Sequence, residues 1–263
     1  MLFLLKFFIV NLILLISVSN LKAQILILYT DNDSYGKVGK EKIFTLAEGQ
    51  PAFANFFDLK VPSHFFIITP KGEKQKLTLL RKKLYDPWFN TPRIAYEIKI
   101  QPKEAGDYLL CIEGDDTLTL NGTLKRSYAK TLFHVQKETS WDRFCDFPLE
   151  IKPLTRPYGL KKGVLFRGQI FYEGKPLKEI EIVVERLRFK LNPSELPKDS
   201  NEEINVPLFL KKLKTDNQGF FYTNFEEEGW WVITAKFPRG IKLYGNKQYP
   251  YELQTHLWIF VFP

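Results

Sequence analysis

The sequence predicts an all-β protein built as two consecutive β-sandwich domains. Apolar residues fall in short runs or strict alternations bounded by Gly, Pro, Asn and Asp, with no long segment of helical period. The chain holds 23 Phe, 12 Tyr and 5 Trp against a single Met in 263 residues. Aromatic and β-branched side chains of this kind pack well on pleated surfaces.

Before the sandwiches stands a targeting segment, residues 1–23. Lys6 gives a small positive start, and Phe7 to Val18 is apolar except for Asn11 and Ser17. Leu21-Lys22-Ala23 places a small residue just before a cut. The uncharged run is shorter than the ~20 apolar residues of a spanning helix, so a removed signal peptide is favoured over a retained anchor. The mature chain then begins at Gln24, outside the cytoplasm and without a membrane span.

The first domain, residues 24–140, offers strands at Ile25–Tyr29, Lys42–Leu46, His64–Thr69, Lys76–Leu80, Ile94–Ile100, Gly106–Glu113 and Ala129–Val135. Pro70-Lys71-Gly72-Glu73 is a turn. Glu104 to Tyr108 resembles the bend into a late strand of immunoglobulin-like domains, where a Tyr hydroxyl meets nearby backbone. Tyr85-Asp86-Pro87-Trp88-Phe89 is an aromatic cluster, either exposed for a partner or packed where a loop closes.

The chain turns polar at Lys137–Arg143, and the second domain is residues 141–263. Its strands are expected at Leu149–Pro153, Val164–Tyr172, Ile180–Arg188, Val206–Thr215, Phe220–Asn224, Trp230–Lys236 and Thr255–Phe262. Glu173 to Leu177 and Thr215 to Phe220 are turns, with Gly219 able to take positive φ. Asn192 to Asn205 reads as a polar surface loop. The order Gly174-Lys175-Pro176-Leu177, Thr215-Asp216, Gly219, Gly229-Trp230-Trp231 resembles transthyretin-like and carboxypeptidase-regulatory sandwiches. In the strand Gly229–Ala235 successive residues face opposite sides. Trp231 then joins Ile233 and Ala235 in the second core, and Trp230 faces the linker or the first domain.

Composition narrows the function. The formal net charge is +8, but the lysines lie in turns and on strand edges, where they discourage edge-to-edge pairing. Arg81-Lys82-Lys83 is the one compact basic triplet, and it reads as a solvated face rather than a nucleic-acid patch. Cys111 and Cys145 are the only cysteines, leaving one disulfide or two separately buried thiols open. No P-loop, nucleophile elbow, HExxH or paired catalytic carboxylate is visible, and the chain reads as a non-enzyme. Asp31-Asn32-Asp33 is not an EF-hand, because Lys42 stands where the closing acid belongs.

The ordered set Trp141-Asp142-Arg143, Pro148-Leu149-Glu150-Ile151, Pro153-Leu154-Thr155, Pro157-Tyr158, Gly168-Gln169 and Gly229-Trp230-Trp231 resembles a family of periplasmic components of cobalt and nickel uptake systems. Gly39, Gly49, Pro70-x-Gly72 and Gly106-x-Tyr108 extend the likeness more loosely into the first domain. The resemblance implies a periplasmic accessory protein with a membrane permease as partner. It also implies structural roles for Trp141, Tyr158, Trp230 and Trp231. It implies metal-binding histidines at the mature N-terminus and after a Gly in the first domain, a sensible pair for Ni²⁺ or Co²⁺. Here those places hold Gln24 and Gln50, and an amide is a poor ligand. The remaining histidines, His64, His134 and His256, are scattered and weak metal candidates, so no bound cofactor is expected. The competing reading is a structural or adhesive sandwich that binds a protein or glycan.

Overall fold

The computed structural model describes residues 24–190 and 210–263. The targeting segment and the Asn192–Asn205 loop expectation lie outside the described residues, as does the start of the Val206–Thr215 strand. The first half holds β1 (Ile25–Tyr29), β2 (Tyr35–Gly36), β3 (Lys42–Gln50), β4 (Asn55–Phe57), β5 (His64–Ile68), β6 (Lys74–Lys76), β7 (Leu79–Asp86), β8 (Thr91–Ile100), β9 (Gly106–Glu113), β10 (Thr117–Leu118) and β11 (Leu124–Val135). The second half holds β12 (Leu149–Pro153), β13 (Leu160–Lys161), β14 (Phe166–Tyr172), β15 (Lys175–Pro176), β16 (Glu181–Arg186), β17 (Leu210–Lys214), β18 (Phe220–Thr223), β19 (Gly229–Tyr244) and β20 (Lys247–Phe262). No helix among the described residues is long and apolar enough to cross a membrane.

The strands form three sheets. A five-stranded sheet runs β1-β3-β8-β7, with β4 on β3. A four-stranded sheet is β12-β14-β15 with β18 on β14. Between them an eleven-stranded sheet runs β17-β16-β19-β20-β11-β9-β5-β6. The protein is therefore all-β and sandwich-like, as its composition and alternation predict.

The large sheet is a wall common to both sandwiches. It continues from one half of the chain to the other because β11 and β20 pair in parallel, Leu124 with Tyr251 through Thr131 with Trp258. Side chains on these strands alternate between two cores. On β19, Trp230 and Val232 join the core under the five-stranded sheet. Their neighbours Trp231, Ile233 and Ala235 join the core under the four-stranded sheet. Trp230 Nε1–H donates to Thr30 O and Asn32 O at 2.9 Å, tying β19 to the end of β1. Trp231 is fully buried, and its Nε1–H donates to Glu227 O.

Several expected strand bounds needed redrawing. The run Lys76–Leu80 is a crossing between sheets: β6 ends at Lys76 on the large sheet, and β7 starts at Leu79 on the five-stranded one. Polar residues kept Phe237–Gln254 out of any expected strand. In the structure it completes a long β19–β20 hairpin, with a register shift between Pro238 and Ile241.

Local details follow the turn chemistry. Tyr108 hydroxyl donates to Glu104 O at 2.9 Å, pinning the bend into β9. Gly219 has φ +79°, and a Cβ there would stand 3.0 Å from Leu177 O. Cys111 on β9 is disulfide-bonded to Cys145 in the linker. Around that bridge pack Leu132, Ile68, Leu109 and Tyr158, with Trp141 partly buried against them.

Candidate functional site

Pairing brings two of the sequence-selected residues, Gln24 and Gln50, to one place. β1 and β3 are antiparallel with Ile25 opposite Gly49 and Leu26 opposite Glu48. One step further along that register sets Gln24 across from Gln50. β4 then sets Asn55 across from Gln50 on its other side. Directly opposed residues of an antiparallel pair share a face.

That face looks into the first sandwich. Phe44, on the same side of β3 as Leu46, Glu48 and Gln50, meets Phe133 of β11 edge-on at 5.6 Å. Phe133 shares its side of β11 with Thr131, Ala129, Ser127 and Lys125. In the neighbouring strands, Ser127 lies beside Gln254 and Ala129 beside His256. His256 in turn lies beside Thr234, and Gln254 beside Lys236. Trp258 belongs to the same face, and its Nε1–H donates to Leu26 O at 3.0 Å.

The interior is thus apolar around Phe133, Trp258 and Val232 and turns polar toward Gln24. Asn55, Ser127, Gln254 and His256 are all buried. Asn55 Oδ1, Ser127 Oγ, Gln254 Oε1 and His256 Nε2 have no hydrogen-bond partner among the described residues. These four atoms lie on β4, β11 and β20. Lys125 ties the two strands together: its Nζ donates to Gln24 O at 2.6 Å and to Glu48 Oε1 at 3.0 Å.

His256 is held neutral. Burial pushes its pKa well below the ordinary 6.5, and the positive Lys125 and Lys236 push the same way. Its Nδ1 lies 3.0 Å from Thr234 Oγ1. This face therefore carries amide oxygens, a hydroxyl and one neutral imidazole, beside the Lys125–Glu48 ion pair. Among the described residues no group of three or more His, Cys, Asp or Glu could hold a metal ion.

The other two histidines lie elsewhere. His64 is exposed at the edge of β5, with Nδ1 3.1 Å from Glu113 Oε2. His134 is on the opposite face of β11 from Ser127, with Nδ1 2.7 Å from Asp107 Oδ1. Tyr158 stacks on the His134 ring at 4.1 Å, and Tyr35 meets it edge-on. Asp107 Oδ2 accepts from Thr139 N–H at 2.6 Å, so this cluster ties the linker to β9 and β11. A buried Lys130–Glu150 pair lies on that same side, 3.4 Å apart. Burial lowers the Lys130 pKa and raises that of Glu150, each against the pull of its partner.

Lys125, Ser127, Asn55, Thr234 and Gln254 escaped sequence reading. The inner strands were expected to begin at Ala129 and Thr255, which left Lys125, Ser127 and Gln254 outside them. The alternation Lys125-x-Ser127-x-Ala129 was the available signal. The aromatic cluster is open to solvent: Tyr85 is 55% exposed, Trp88 48% and Phe89 62%.

These features define an all-β sandwich protein with buried polar side chains on the strands that face its first core. Within that class, the chain belongs to the family described as Domain of unknown function (DUF4198), whose sequence profile matches residues 26–238. No curated protein matches the chain. Two solved structures of Escherichia coli alpha-2-macroglobulin are similar over 91% of it, at 15% identity and a TM-score of 0.25. One is the form activated by porcine elastase, and the other is the native conformation. The chain spans 20% and 14% of those two chains.

Proposed function

We propose that this protein is a non-enzymatic, extracytoplasmic accessory component of a nickel or cobalt uptake system, working beside a membrane permease. One observation carries the reading. The two positions at which the resemblance implies metal-binding histidines fall opposite each other, one step beyond the Ile25–Gly49 pair. Gln24 and Gln50 make that place a weak site in this chain. Amide oxygens are poor partners for Ni²⁺ and Co²⁺, and Lys125 and Lys236 add positive charge nearby. Of the three histidines, His256 is the one on the strand face turned to the first core.

The test is calorimetric titration of residues 24–263 with Ni²⁺ and with Co²⁺. Binding should be no tighter than about micromolar, on the order of −8 kcal/mol. The double variant Gln24→His, Gln50→His should bind at least about tenfold tighter, worth about 1.4 kcal/mol. Nanomolar binding by the natural sequence, or a double variant no tighter than it, rejects the reading.

A further inference from the structure

The five-stranded sheet ends in an open edge. β7 pairs with β8 from Leu79–Ile98 to Asp86–Thr91, and among the described residues no strand pairs with its other side. Every second residue of such a strand turns its N–H and C=O outward, ready to pair with another extended chain. Edges of this kind are often kept short or covered, yet β7 is eight residues long.

The edge is charged with one sign. Arg81, Lys82 and Lys83 stand in its middle, and its one acid, Asp86, is fully buried at its end. Lys82 is engaged by Glu97 at 3.2 Å and by Thr45. Arg81 and Lys83 are exposed and have no ion-pair partner among the described residues. Arg81 also lines an open groove of about 650 Å³ with Asp58, Leu59, Lys60, Val61, Ile94 and Tyr96. Beyond Asp86 the β7–β8 turn carries the exposed rings of Trp88 and Phe89, and Tyr85 precedes it.

We propose that β7 is a docking edge for an acidic, extended segment of a partner protein, which adds to the sheet as a further strand. Backbone pairing along β7 supplies the affinity, as in other strand-addition complexes. Arg81 and Lys83 select acidic residues at alternate positions, and Tyr85, Trp88 and Phe89 hold an apolar residue at one end. The same cations oppose a second copy of β7, because like charges directly across a pair repel. The lysine-bearing edge at the far end of the large sheet is less suited: Lys211 of β17 is already held by Glu226 and Asn224. The inference stands apart from the metal reading and does not depend on it.

The test uses residues 24–263 and a synthetic peptide of alternating glutamate and valine, matched to β7 in length. A second peptide carries N-methyl groups on alternate backbone nitrogens, which removes the pairing donors and keeps every charge. The first peptide should bind, and hydrogen exchange at alternate β7 amides should slow. N-methylation should weaken binding at least about tenfold, and Arg81→Glu with Lys83→Glu should abolish it. Both side chains are exposed, so the double variant keeps its fold, checked by its unchanged melting curve. Equal binding of both peptides overturns strand addition and leaves only charge attraction. Absence of binding, protection at another edge, or self-association through β7 also overturns the proposal.

Discussion

At the scale of the residue, His256 makes stability depend on pH. It is fully buried and neutral, with its pKa well below the ordinary 6.5. The unfolded chain therefore takes up a proton near pH 6.5 before the folded chain does. Its contribution is present above that value and is lost as pH falls from about 6.5 toward the folded pKa. The natural protein should lose more melting temperature between about pH 7.5 and pH 5.5 than His256→Gln does. Parallel slopes for the two proteins would place the burial cost elsewhere. Trp230 and Trp231 give a second contrast. Both are buried, in different cores. Each truncation to Ala should cost about 3–5 kcal/mol in denaturant melts. Only Trp230→Ala should also speed hydrogen exchange around Thr30 and Asn32, whose carbonyls it holds.

At the scale of the element, the linker is held by three independent ties. The disulfide joins Cys145 to Cys111 across 34 residues of sequence. Asp107 accepts from Thr139, and Arg143 donates to Thr69 O and Pro70 O. Replacing both cysteines by Ser should cost about 3–4 kcal/mol, the chain-entropy value for a loop of this length. Urea melts under oxidising and reducing conditions check it: the natural protein should lose that amount on reduction, and the double variant should not respond. Strand positions were largely legible where side chains alternate cleanly, as in Ile25–Tyr29 and Gly106–Glu113. They were not legible at Phe237–Gln254. There the hairpin is stabilised by pairing with itself, and its exposed residues need no apolar face.

At the scale of the molecule, the shared wall joins the halves energetically. β20 presents His256, Trp258 and Phe260 to one core and Leu257, Ile259 and Val261 to the other, and β11 contributes Leu124 and Tyr128 to the second core. A fragment of residues 141–263 would lose the β11 partner of Tyr251–Trp258 and expose Trp230, Val232 and Trp258 to water. It should fail to give a dispersed NMR spectrum, whereas residues 24–263 should unfold in one transition with near- and far-ultraviolet dichroism coincident. A well-folded fragment would show that each half carries a complete core.

The sequence by itself determined the all-β class, most strand positions, the turn at Gly219, the bend at Tyr108 and the opposed directions of Trp230 and Trp231. These are local matters of alternation, turn chemistry and side-chain shape, each decided within a few residues. The tertiary structure decided which strands neighbour which. It closed Cys111 with Cys145 and ran one sheet through both halves. It set Gln24 across from Gln50 while keeping His64 and His134 apart from His256. Such pairings join residues tens to hundreds of positions apart. They are chosen by how two cores can be buried together, and no local pattern encodes that choice.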